Sequence, residues 1–169
     1  DAQIGLTRAQ ALEELIDLLD SAERAAGNPA RQVEILEQAV NLDPYSIEAA
    51  QALVQARADR LQERFAAMMS EGYTQLQAGS PQEAIARFEA AATLGVNENE
   101  ARAAIAQTET EITNAKIAEL QRRALDSEAR EARQEAVEDY DAIVAIDANL
   151  PTINRALDYA EKRARLDAL

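Results

Sequence analysis

Glu83–Val96 reads EAIARFEAAATLGV, and this stretch decides the fold because its pattern occurs three times. Arg31–Pro44 reads RQVEILEQAVNLDP and Glu135–Ala148 reads EAVEDYDAIVAIDA, each 52 residues away. Aligned without gaps, Val33, Ile85 and Val137 fall in register. So do Leu36, Phe88 and Tyr140, and Val40, Ala92 and Val144. A fixed period of this size marks a repeat architecture, in which each unit buries its apolar face against its neighbours.

Working outward from these blocks, every segment carries a helical period and none alternates as a strand does. Pro29, Pro44, Pro81 and Pro151 all fall where a helix starts or has just stopped. The first helix is expected from Arg8 to Ala26, opened by a capping box of Thr7 and Gln10 and broken by Gly27-Asn28-Pro29. A short helix then runs to Leu42 and is closed by Asp43-Pro44. Ser46 caps a long helix to Ala78 of about 33 residues, roughly 50 Å at 1.5 Å per residue. Its apolar line reads Ile47, Ala50, Val54, Ala58, Leu61, Phe65, Met68, Gly72, Leu76.

Gly79-Ser80-Pro81 is the sharpest punctuation. Gly79 suits a left-handed helix end, Ser80 an N-cap, Pro81 the first turn, and Glu83 a reciprocal cap. A short helix to Leu94 is ended by Gly95. Asn97 caps a second long helix over Glu98–Glu131. Glu98–Arg102, Glu119–Arg123 and Asp126–Arg130 are spaced i,i+4, acid first, as exposed supporting pairs. A third short helix closes near Ile146, and Asn149-Leu150-Pro151 starts a last one.

Long and short helices thus alternate. The first half of each long helix should pack on the short helix before it, and the second half on the one after. We therefore expect an all-α fold, an elongated, staggered helical-repeat array in one domain over 1–169. Its units are 8–44, 46–96 and 98–148, with a terminal helix 151–169. The start at Asp1 and the helical pattern still running at Leu169 suggest a fragment of a larger protein, or one processed at its start.

The hairpins resemble the tetratricopeptide repeat, which has small residues at set places, a Gly at the turn, an aromatic in the second helix and a closing Pro. Gly72, Gly79, Ala84, Phe88 and Ala91 fall in place in the middle block, with Val96 at the Pro position. The first block offers Gly27, Leu36, Ala39 and Pro44, with Asp20 and Gln32 in place of small residues. The third offers Ala124, Ala136 and Tyr140, with Glu131, Ile143 and Ala148 in place of Gly, Ala and Pro. The three hairpins cover about 100 residues, and the period exceeds that family's roughly 34 residues by about 18. The extra length falls in the first helix of each hairpin. A solenoid of three helices per repeat, or a rod of small bundles similar in principle to spectrin, fits the same pattern.

Composition restricts the function classes. A net charge of −14 argues against nucleic acid and anionic membranes, which need Lys and Arg. No run approaches the roughly 18 apolar residues of a membrane span. With no Cys and no His, disulfides, thiolate chemistry, imidazole catalysis and Cys/His zinc sites are excluded. Metal ligands would have to be carboxylates. Adjacent Glu13 and Glu14 diverge on a helix, as do Glu109 and Glu111, and no calcium-loop spacing occurs. No phosphate loop or nucleophile motif is present. The expectation is no enzyme, no cofactor and no metal.

Two features stand out as candidate contacts. Tyr73, Met68 and Met69 cluster near a hairpin turn, as core or as a partner-facing patch. Arg122-Arg123 is a small basic point, read as surface pairing with Glu119. Peptide C-terminus binders of the resembled family carry paired Lys and Asn, whereas Lys116 and Lys162 are far apart here. What the resemblance implies is a protein–protein interaction scaffold for a protein or peptide partner. The alternative is a structural spacer or brace within a larger protein or envelope complex. The location expected is the bacterial periplasm or cytoplasm, with the periplasm favoured. The partner's identity, its face and the oligomeric state are left open.

Overall fold

The computed structural model describes residues 2–167, with side chains from position 11 to 166. Among the described residues there are seven helices and no strand. They are α1 (Ala2–Arg24), α2 (Pro29–Leu42), α3 (Ile47–Gln77), α4 (Pro81–Ala92), α5 (Glu98–Ala129), α6 (Arg133–Ile146) and α7 (Pro151–Asp167). The all-α class and the alternation of long and short helices are as expected. The short helices α2, α4 and α6 begin at positions 29, 81 and 133, so the 52-residue period recurs in the boundaries. The chain divides into two compact units, residues 1–104 and 105–169.

The period also recurs in burial. Leu36, Phe88 and Tyr140 are each 2% exposed or less, and Ala39, Ala91 and Ile143 are fully buried. These are the positions at which each short helix meets its core. Val33 is buried, whereas its register mates Ile85 and Val137 are only partly so.

In the first unit, α1, α2 and the start of α3 share an apolar core. Leu15 of α1 clusters with Ala39 of α2 and Ala49 of α3. One layer on, Ala22 clusters with Val33, Ile35, Leu36, Leu53 and Ala56. The far half of α3 serves a different neighbour, presenting Phe65, Met69 and Gly72 as its buried residues. Phe88 of α4 packs directly over Gly72, where an added Cβ would lie 2.3 Å from Cε1 of the ring. The two halves of α3 therefore serve α2 and α4 in turn. Between them, from Arg57 to Arg64, no residue is buried. In the second unit, Leu120 and Ala124 of α5 join Ala136, Tyr140 and Ile143 of α6 and Ile153 and Ala160 of α7 in one core.

The expected apolar line of α3 holds in its second half and fails in its first. Ile47 and Val54 are 73% and 70% exposed, and Ala50 and Ala58 are exposed too. The buried face is Ala49, Leu53 and Ala56, one residue round the helix. In an alanine-rich helix two adjacent faces are both apolar enough to pack. The choice falls to the neighbour, and α2 presents Leu36 and Ala39, which fit small residues closely.

The helix ends explain the breaks. Asn28 caps α2, its Oδ1 accepting from Arg31 N–H at 3.0 Å. Ser46 caps α3 as expected, Oγ accepting from Ala49 N–H at 3.2 Å. Gly79 has φ +78, and Ser80 N–H donates to Gln75 O while Gly79 N–H donates to Leu76 O. This paired closure satisfies the Gln75 and Leu76 carbonyls at the end of the helix. One period on, Glu131 repeats it at φ +63, with Ala132 N–H donating to Ser127 O and Glu131 N–H to Glu128 O. The conformation is retained although the glycine is not. Asp43 and Asp147, two periods apart, likewise close α2 and α6 with the same side-chain turn. Their Oδ1 atoms accept from Tyr45 N–H at 3.1 Å and Asn149 N–H at 2.8 Å.

Two expected caps are corrected. α1 begins at Ala2, so Thr7 lies inside the helix and opens nothing. Gly5 is tolerated there because glycine weakens a helix by only about 1 kcal/mol. The Thr7 and Gln10 side chains lie outside the described residues. Ser80 occupies the N-cap position of α4 but its hydroxyl makes no capping bond. The Gly79 closure and Pro81 already fix that turn, and Pro81 has no N–H to satisfy.

Candidate functional site

The Tyr73 cluster develops into a groove on the first unit. Gln62, Ala66, Met69, Tyr73 and Gln77 descend one face of α3 at helical spacing, and Asn97 and Glu100 open α5 beside them. An open groove of about 540 Å³ lies between. Its floor is Phe65 and Met69, each 4% exposed. Tyr73 is 48% exposed, and its ring meets that of Phe88 edge to face at 5.1 Å and 61°. One side of the tyrosine is thus committed to the α3–α4 contact, and the other is open. Met68 is half-buried and does not line the groove.

The groove is built by backbone choices made nearby. Gly95 at φ +72 and Asn97 at φ +48 turn the chain from α4 into α5. The Asn97 side-chain amide then donates to Gln62 Oε1 at 3.2 Å, tying the start of α5 to α3 at one end of the groove. Glu100 is the only charged group lining it. An apolar floor with amide and hydroxyl walls suits an uncharged side chain flanked by a peptide backbone.

The basic point lies in the second unit and is neutralised. Arg122 pairs with Glu119 at 2.7 Å and with Asp126 at 2.9 Å. Its hydrogen bond holds the Glu119 carboxyl below the usual range, and Glu119 in return raises the Arg122 guanidinium. Glu98–Arg102 forms as expected. Two expected pairs are corrected. Glu119 takes Arg122, and Arg123 turns instead to Asp139 of α6 at 2.8 Å. Arg130 donates to the Asp126 backbone carbonyl at 3.3 Å and meets Glu135 at 3.4 Å. In each case a carboxylate reachable across the hairpin competes with the one along the helix. Arg122, Arg123 and Arg130 line a small polar hollow of about 240 Å³ with Asp126, Glu135 and Asp139.

Asp139 is the residue that spacing along one helix missed. It is 6% exposed. Its partner Arg123 sits on another helix, beyond any i,i+4 rule. Asp43 is also buried. Glu13, Glu14, Glu109 and Glu111 are exposed, and Lys162 pairs locally with Asp158 at 2.6 Å. Among the described residues no group of three or more acidic side chains could hold a metal ion. No helix among them is long and apolar enough to cross a membrane. Compared with known proteins, the chain matches no family model, no curated protein and no solved structure at a significant level.

Proposed function

We propose that this chain is a helical-repeat interaction scaffold of tetratricopeptide-like type, with no catalytic role, that docks a peptide segment of a partner protein. The observation that carries the reading is the groove between α3 and α5, with half-exposed Tyr73 over a floor of Phe65 and Met69. Grooves that bind are concave and apolar at the base, with a few polar groups to orient the ligand. Peptide selection against the intact chain tests this, with Thr74→Arg as the blocking variant. Thr74 is exposed and lines the groove, so the change fills it without touching the core. Selected peptides should lose most of their affinity for the variant. Binders indifferent to it would refute the site.

A spacer or brace is the second reading, favoured by one stretch. From Glu109 to Glu119 of α5 no residue is buried, as in a strut held only at its ends. The array arrangement belongs to the same proposal, and small-angle scattering tests it. A radius of gyration near the roughly 15–16 Å of a compact domain of this length would refute an extended array.

A further inference from the structure

Superposing the three hairpins by their 52-residue period brings one contact into register three times. On the long helices it is held by Leu19, Glu71 and Arg123, and on the short helices by Ile35, Arg87 and Asp139. Leu19 and Ile35 share the apolar core of α1 and α2. Glu71 and Arg87 form an ion pair at 3.5 Å between α3 and α4. Arg123 and Asp139 form one at 2.8 Å between α5 and α6, with the signs reversed. The same contact is thus apolar, then acid to base, then base to acid.

The neighbouring position changes in size in the same way. Gly72 leaves room for Phe88, whose ring atoms would lie 2.3–2.8 Å from an added Cβ. Its register mate Ala124 does carry a Cβ, and shares a core with Tyr140.

We propose that this reversal of sign, with the change of size beside it, specifies which short helix each long helix accepts during folding. A repeat chain has near-equivalent helices that could pair wrongly within one molecule or between two. Were α5 to take α4 in this register, Arg123 would face Arg87 and the Ala124 Cβ would run into Phe88. Were α3 to take α6, Glu71 would face Asp139 in a site where the aspartate is 6% exposed. Were α1 to take α4, Leu19 would face a charge. Each wrong pairing meets a like charge, an unpaired charge or a clash, and each right pairing meets none.

Refolding from denaturant at high protein concentration tests the proposal. The readout is the fraction that fails to return as monomer with wild-type hydrogen-exchange protection in α4 and α6. The decisive variant, Glu71→Arg with Arg87→Asp, keeps an ion pair in the α3–α4 hairpin but gives it the signs of the α5–α6 hairpin. Both original side chains are more than half exposed, at 57% and 54%, so the folded state should melt close to wild type. The misfolded fraction should rise about threefold to fivefold, the range an exposed charge pair can discriminate. An unchanged fraction would overturn the proposal. Should that variant fail to fold, Glu71→Gln with Arg87→Gln decides. It removes the sign without adding charge, and must still raise the fraction, or the proposal fails. Neutralising the exposed Arg57–Glu37 pair with glutamines is the control. An equal rise there would mean that loss of any surface pair suffices, and would also overturn it.

Discussion

Replacing Gly72 with alanine sets two known effects against each other at one atom. Alanine is the better helix former by about 1 kcal/mol, so in an open position of α3 the change would stabilise. Here the new Cβ would lie 2.3 Å from Phe88 Cε1, 2.7 Å from Cδ1 and 2.8 Å from Cζ. All three are closer than Cβ atoms approach rings, and a ring cannot bend away as a flexible chain end can. Phe88 is fully buried and braced by Tyr73, so it has little room to slide. Overpacking of this kind costs about 1–3 kcal/mol, and three short contacts put it at the upper end. The net expectation is a loss of about 1–2 kcal/mol. At about 2–4 °C per kcal/mol for a chain of this size, the melting temperature should fall by about 2–8 °C. Circular dichroism during heating and in urea measures it. Phe88→Leu should relieve the clash, so the double variant should lose less than the sum of the singles by about 1 kcal/mol. A Gly72→Ala protein that melts at or above wild type would refute the close approach of α3 and α4.

Glu131→Gly should stabilise by about 0.5–1 kcal/mol in urea, because a side chain in the left-handed region costs about 1–2 kcal/mol and glycine returns part of that as unfolded-chain entropy. A destabilised variant would mean that the Glu131 side chain contributes more than its backbone costs. Ser46→Ala should cost about 1 kcal/mol, because its hydroxyl caps α3, whereas Ser80→Ala, which breaks no capping bond, should stay within about 0.5 kcal/mol. Equal losses in thermal melts would contradict the two cap geometries. Burial, with Glu128 beside it, raises the Tyr140 phenol above its ordinary value of 10.0. The folded state then holds that proton more tightly than the unfolded chain. This contribution is complete below pH 10.0 and is lost as pH climbs through the raised folded value. Tyr140→Phe should therefore flatten the alkaline fall in stability, and identical alkaline limbs in the two proteins would disprove the linkage.

The helices and their breaks were readable because they rest on local chemistry. Pro29, Pro81 and Gly79 act on their own turns, and the aligned blocks set Leu36, Phe88 and Tyr140 at one position of the repeat, which the structure buries. The face of α3 was not readable in the same way. Ile47 and Val54 lie on an apolar line as regular as Leu53 and Ala56, and only the shape of α2 separates the two. Of the groove, only Tyr73 and Met69 stood out in the sequence, in a cluster read as core or as a partner-facing patch. Its second wall, Asn97 and Glu100, reaches it by a turn that reverses the chain, which spacing along one helix cannot convey. Asp139 was hidden for a related reason, since its partner lies across the hairpin. The signal that locates it is the alignment itself, which sets Arg123 and Asp139 over Glu71 and Arg87.

The bare stretch of α3 from Arg57 to Arg64 has a mechanical consequence. For about two turns this helix has no buried residue and is tied to its neighbours only by exposed side chains, Arg57 to Glu37 and Gln62 to Asn97, and an isolated helical segment of that length is marginal in water. The cores at its ends clamp it, so it cannot unwind from a terminus, but its middle can flex without exposing a buried residue. Bending there swings α4 relative to α2 as a lever swings about a pin. Amide exchange in α3 should accordingly be fastest at its centre, the reverse of a helix that frays from its tips.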